Sequence, residues 1–390
     1  MALGQITFTR TNGNLNIPLP GEDYISALLV YGSKPVPFGS ADTLPVYSVK
    51  EAEELGLDKT FNAGVPHYHV KEYFRINPRG KLQLMVATST SAAQADSSET
   101  QDFESLATLQ RATEGEIRQV AVFVTDTFAE SQVTALQAIA TLLEGENMPL
   151  SILYAADFTA LTKDTLPDLS GSDAKNVSVV VGEDGAGDGA ALVTATGKSV
   201  TCLGATLGAV SLAAVHQSIA WINEFNVAGS ELNTLNLSTG EKIASLAKTA
   251  LDGLDNKRYL FLIKYVGRNG SFFNGEYTAD NPDYGTISNN RSIDKAVRGV
   301  RQTLLPLLNS PVYVQDDGTL DPASIASIES EASRPLDQME REGELSGYQV
   351  VIDPAQKILE TETLKVDIEK IGVGVVRNFD VSIGYVTELT

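Results

Sequence analysis

QVAVFVT, residues 119–125, followed by DTFAESQVTALQAIATLLEGENMPLSILYAA to residue 156, decides the fold class. The first run reads as a strand. Thr127 and Glu130 then stand at capping-box spacing, at which a hydroxyl and a carboxylate three residues apart satisfy free N–H groups at a helix start. Behind them Val133, Leu136, Ala140 and Leu143 recur at helical intervals and predict one buried helical face. Further strands are predicted over 150–155 and 177–181, then a helix from Leu203. Strands alternating with helices imply a largely parallel sheet covered on both faces.

Working toward the N-terminus, residues 25–31 and 82–87 read as strands, with a Pro-rich turn region (Pro35, Pro37, Pro45) and a short acidic helix over 50–57 between them. TSTSAAQADSSET, residues 88–100, carries almost nothing apolar and marks an exposed loop or boundary. Residues 1–20 alternate weakly through Ile6, Phe8, Leu15 and Ile17 around Asn12-Gly13. That is a hairpin signal too sparse to form a core, so this segment is expected to be an arm that needs a partner sheet.

Toward the C-terminus, Ser238 and Glu241 repeat the capping-box spacing ahead of Ile243, Leu246, Ala250 and Leu254, and predict a helix. RYLFLIKYV, 258–266, predicts an apolar strand. Ile293, Ala296, Val297, Val300 and Leu304 predict an amphipathic helix ended by Pro306, and Asp321-Pro322 predicts another helix start. The chain closes on GYQVVIDPAQKILETETLKVDIEKIGVGVVRNFDVSIGY, 347–385. Leu364, Val366 and Ile368 alternate with charged residues, the period of a strand with one buried face. Flanking apolar runs at 348–352 and 381–385 suggest a small antiparallel sheet. Nothing in this stretch looks catalytic.

The chain has 390 residues, 43% hydrophobic and 20% charged, which predicts a folded protein of two or three domains. Its net charge of -21, from 50 acidic and 29 basic residues, argues against a general electrostatic footprint for nucleic acid or anionic lipid. Cys202 is the one cysteine, so no intrachain disulfide forms and a reducing compartment is expected. The first residues lack signal-peptide features, so secretion by that route is not expected. The weakly charged run over 203–222 has the length of a membrane span but poor flanks, and is expected to be a buried small-residue helix.

Five sets of residues invite chemistry. Over 182–199, a strand runs into glycines and ends Gly197-Lys198-Ser199, resembling a phosphate loop, yet Leu192 occupies the position that requires glycine. A surface loop is the simpler expectation. His67 and His69 could share one strand face but lack further zinc ligands nearby, and are expected at the surface. Cys202 and His216 fall in the apolar run, where packing is the expected role. Asp316-Asp317-Gly318 with Asp321 lacks the alternating ligands of a calcium loop and predicts a tight turn. The aromatic residues of 270–285 are expected to cover a core edge.

Three passages resemble contractile-tail sheath proteins of bacteriophages and related contractile injection systems. They are GSFFNGEYTADNPDYGTISNNRSIDKAVRGVRQTLLP (270–306), SPVYVQDDGTLDP (310–322) and MEREGELSGYQVVIDPAQKILETETLKVDIEKIGVGVVRNFDVSIGYV (339–386). The resemblance implies an α/β and α+β multidomain fold: a central, mostly parallel α/β sheet, a C-terminal α+β core domain with an antiparallel sheet, and extended terminal arms. Its expected layout is an N-terminal arm (1–20), a mixed domain (21–100), an α/β domain (101–230), a sheath core domain (231–375) and a C-terminal arm (376–390).

The resemblance implies a structural subunit rather than an enzyme. Its copies would stack as hexameric rings around a tail tube and contract to drive the tube through a target envelope, with neighbours exchanging strands. Ile6, Phe8, Leu15 and Ile17 would anchor one arm and Val381, Ile383 and Tyr385 the other. Val350, Ile352, Leu364, Val366 and Ile368 would build the receiving sheet. The implied partners are other copies, the tube, and baseplate and tail terminator proteins, with no cofactor, metal, nucleic acid or membrane insertion. Assembly would take place in a bacterial host cytoplasm, and the product would be a virion tail or injection particle. The competing readings are a nucleotide-dependent enzyme using the 182–199 segment, or another tail or lattice protein such as a tube or surface-layer subunit.

Overall fold

In the computed structural model, which describes residues 23–87, 103–280 and 285–385, the predicted strands of the first half converge on one sheet. In chain order come β1 (Ser26–Tyr31), β2 (Leu44–Val46), α1 (Val49–Glu54), α2 (Val65–Ile76), β3 (Leu82–Ala87), α3 (Glu104–Ala112), β4 (Gln119–Thr127), α4 (Glu130–Gly145), β5 (Ser151–Asp157) and β6 (Val177–Val180). Next are β7 (Gly182–Asp184), α5 (Asp188–Thr196), α6 (Leu203–Leu212), β8 (Leu235–Leu237), α7 (Lys248–Asn256) and β9 (Tyr259–Leu260). The seven-stranded sheet has the order β2-β3-β1-β4-β5-β6-β9, and only the β2–β3 pair is antiparallel.

Strand alternation shows why both faces of this sheet are apolar. Val122 pairs with Tyr154, and Phe123 with Ala155, so Tyr154 and Phe123 point to opposite faces. Tyr154 donates to Gln132 Oε1 of α4 (2.8 Å) and meets Phe103 at the start of α3, whereas Phe123 meets His69 of α2. Helices therefore cover both sides. The boundary expected near residue 100 falls inside this one sheet and one continuous core, because β1, β2 and β3 hydrogen-bond into the same ladder as β4.

Several local expectations change. Thr127 does not cap α4, because β4 remains paired through Thr127 with Asp157; the helix starts after Ala129, whose N–H donates to Gln132 Oε1 (2.9 Å). Val133, Leu136, Ala140 and Leu143 do form its buried face. The helix expected over 203–222 stops at Leu212. Gly204 and Gly208 let it press against α2: a Cβ at Gly204 would overlap the His69 carbonyl, and one at Gly208 would lie 2.9 Å from the Tyr73 carbonyl oxygen. Ser238 starts no helix, since α7 begins only after Ala247. The single strand expected over 258–266 is divided between two sheets, β9 and β10 (Leu262–Ile263), and β10 pairs with β11 (Phe272–Phe273).

The last part holds α8 (Ile287–Leu304), α9 (Pro322–Arg341), β12 (Gly347–Val351), α10 (Ile358–Thr361) and β13 (Asp367–Ile371). Asp321 caps α9 as expected, accepting from the N–H groups of Ala323 and Ser324 at 3.1 Å each. Ile287 of α8 belongs to the main core, while Ala296, further along, joins Leu336, Met339 and Leu345 in a second, small core. One helix thus bridges both cores.

Candidate functional site

The phosphate-loop candidate is closed by the protein's own acids. β7 pairs with β8 and α5 follows, so the segment is not the expected surface loop. At the start of α5, Gly187 N–H donates to Asp184 Oδ2 (2.8 Å) and Asp188 N–H to Glu231 Oε2 (2.7 Å). The position where a phosphate would sit is filled by carboxylates. Burial and the facing Glu231 push Asp184 up to about 6. Lys198 Nζ is held 2.7 Å from Asp157 Oδ2, and Ser199 Oγ accepts from Phe158 N–H (2.9 Å). Both side chains serve the β5 end instead of a ligand.

His67 and His69 are helical and buried rather than strand-borne and exposed. Pro66 in the first turn of α2 favours the helix, and His67 Nε2 meets Glu53 Oε1 at 2.8 Å. Among the described residues no group of three or more His, Cys, Asp or Glu could hold a metal. Burial pushes the Cys202 thiol up to about 12, and its sulfur lies 3.7 Å from Thr206 Oγ1. Asp317 makes the expected turn, accepting from Thr319 N–H at 3.0 Å. Phe272, Phe273 and Tyr277 pack inward as expected, and no described helix is long and apolar enough to cross a membrane.

Among the described residues, nothing completes the C-terminal ribbon. β12 and β13 pair antiparallel, with Tyr348 opposite Lys370 and Val350 opposite Ile368. Tyr348 and Val350 pack on the small core, so this is the inner face, and Gln349, Glu369 and Asp367 lie on the outer one. Ile352 is buried and its N–H donates to Glu329 Oε1 (3.2 Å). Leu364 and Val366 are only half-buried and Ile368 is exposed, against the expected buried face. The cause is coverage: a two-stranded sheet resting on α9 shields one side partially, and among the described residues no third strand joins either edge.

The run expected to supply a third strand does not do so within the chain. After Ile371 the backbone has no regular structure to residue 385; Ser346 Oγ donates to the Gly372 carbonyl at 2.9 Å, and further along Arg377 holds the segment. That guanidinium lies 4.8 Å from the Tyr277 ring centre and 3.4 Å from Asp255 Oδ2. Beyond it Val381, Ile383 and Tyr385 are exposed by 69, 91 and 110%. Phe379, exposed by 84%, belongs to the same alternation, and only the missing two-residue step backward from Val381 kept it from the sequence reading. Ile6, Phe8, Leu15 and Ile17 lie outside the described residues.

An exposed ribbon edge and an alternating apolar segment are the kinds of feature that strand addition uses. A two-stranded sheet is marginal alone, and unpaired edge amides and carbonyls bind an added strand through main-chain hydrogen bonds.

Two family descriptions match the chain in tandem, the DUF2586 N-terminal domain over residues 3–276 and the DUF2586 C-terminal domain over residues 283–390. No curated protein matches it. Among solved structures, a chain from the anti-feeding prophage helical sheath in the contracted state is similar with a TM-score of 0.62 at 15% identity, covering 92% of each chain. A chain from the anti-feeding prophage baseplate, 6-fold symmetrised, gives 0.61 at 12% identity and covers 99% of both. One from the PVC sheath complex of an extracellular contractile injection system, contracted, gives 0.61 at 11%, covering 99% of this chain and 98% of that one. The fold is sheath-like over essentially its whole length, with a mostly parallel central sheet and separate antiparallel sheets.

Proposed function

The chain belongs to the DUF2586 family, and we propose that it is a structural subunit of a contractile sheath. The observation that carries this reading is the near end-to-end likeness of fold to sheath chains. The unfinished ribbon and the exposed Phe379–Tyr385 alternation fit it, because a sheath must be joined by contacts that survive large rotations. Copies stack as hexameric rings around a tube, and the segment 379–385 of one copy adds to the β12–β13 ribbon of another. Head-to-tail contacts of this kind do not close and so generate a helical array. Contraction is then rigid-body rotation of the bodies, with the exchanged strands as tethers. The array docks on a baseplate and ends at a terminator protein. It assembles in a bacterial cytoplasm before acting from a virion tail or injection particle.

Electron microscopy of the purified chain and of a variant lacking residues 379–390 tests this. The full chain should form thick-walled cylinders. The truncated chain should keep its melting temperature, since the described side chains it loses, those of 379–385, are exposed, but remain unassembled. Thin tubes or flat sheets from the full chain would refute the sheath reading, and unchanged cylinders from the truncated chain would refute strand donation by this segment.

A further inference from the structure

The roots of the two terminal segments meet on a single lysine. Lys295 Nζ lies 2.9 Å from Asp23 Oδ2 and 2.7 Å from Glu344 Oε1. Asp23 is the first described residue after the N-terminal segment, and Glu344 stands three residues before β12. All three side chains are largely shielded from solvent, at 18, 16 and 7% exposure. Burial alone would lower the Lys295 pKa, but Glu344 and Asp23 hold it above its ordinary value, so the lysine stays charged.

The rest of α8 reinforces the arrangement. Arg291, Lys295 and Arg298 recur at i, i+4 and i+7, one stripe of the helix. Arg298 Nη2 reaches Asp23 Oδ1 at 3.4 Å, and Arg291 Nη2 donates to the Asp23 carbonyl at 3.2 Å. On the ribbon side, Lys370 Nζ of β13 donates to Ser292 Oγ at 3.0 Å. Within the stripe only Lys295 touches both roots; its bonds to Asp23 and Glu344 are charge-assisted and partly desolvated, which makes them strong but dependent on each other, while the more exposed Glu342 Oε2 lies further off on the ribbon side at 3.6 Å.

We propose that Lys295 couples the exit of the N-terminal segment to that of the C-terminal ribbon, so that loosening one root loosens the other. If Glu344 leaves, Lys295 keeps its charge but loses the partner that fixes its position, and Asp23 is held less firmly. Equilibrium coupling is reciprocal, so loss of Asp23 must weaken the ribbon root by the same factor. In an array whose terminal segments are intersubunit tethers, a reading taken from the proposed function, this carries strain from one tether of a subunit to the other.

Hydrogen exchange on the full-length unassembled chain tests the coupling apart from any sheath role. Glu344→Gln should speed exchange at residues 23–25, and Asp23→Asn should speed it at 344–351, each by at least about fivefold, with β4 and β5 unchanged. In a Lys295→Met background, Glu344→Gln should add nothing at residues 23–25. The proposal is overturned if each variant loosens only its own root, or if the distal effect persists without Lys295. If Asp23→Asn does not fold, Glu344→Gln alone decides, because its readout lies at the opposite root. Coupling found in a chain that forms no cylinders would keep this inference and discard the sheath reading.

Discussion

His69 stands against Phe123, ring centres 5.2 Å apart, with neither ring nitrogen hydrogen-bonded. Burial pushes its pKa from 6.5 down to about 3. The unfolded chain therefore takes up a proton near pH 6.5 that the folded chain refuses until about pH 3. The stability from keeping this ring neutral is full above pH 6.5 and falls across that window, by up to about 1.4 kcal/mol per pH unit. Replacing the ring, as in His69→Leu, should flatten the loss of urea stability between neutral pH and pH 4; parallel curves for the two proteins would show that His69 is not a site of acid lability. Glu183 and Glu276, both raised by burial to about 7, act in the opposite sense, stabilising below their unfolded pKa and losing that effect as pH rises through 7. Both are common to the two proteins and cancel in the difference. The sequence placed His69 at the surface because a lone i, i+2 pair says nothing about which helix will cover it.

At the scale of elements, α2 and α6 are held together by the absence of side chains. Gly204 faces the His69 carbonyl and leaves no room for a Cβ. Gly204→Ala should therefore cost about 1–3 kcal/mol, the range for overpacking a tight contact, measured as a fall in urea midpoint with unchanged slope. A neutral outcome would mean that the two helices are free to separate. The helical periodicity of α4 and the Asp-Pro start of α9 were legible because each is a local pattern, complete within one or two turns. The capping box at Thr127 was misread because a pairing partner 30 residues on, Asp157, kept Thr127 in a strand. The Asp23–Lys295–Glu344 contact was invisible for the same reason: its members are distant in the chain and share no spacing rule.

For the whole molecule, a net charge of -21 sets the cost of bringing copies together. Like-charged bodies repel over about 30 Å at 10 mM salt but only about 8 Å at 150 mM, so salt should lower the protein concentration at which cylinders form. Sedimentation across that range measures it, and a threshold indifferent to salt would show that the joining surfaces are locally balanced despite the acidic total. By itself, the sequence determined the α/β class and the buried face of α4, because period-two and helical patterns record which side of an element avoids water; it also carried the alternation through Val381, Ile383 and Tyr385 but not what covers it. Only the tertiary structure decided that strands before and after residue 100 share one sheet, that the start of α5 in the glycine-rich 182–199 segment is satisfied by the protein's own carboxylates, and that among the described residues the closing ribbon has two strands. Each of these depends on which distant backbone edge or charge arrives alongside, and hydrogen-bonding partners are chosen in space, not by spacing along the chain.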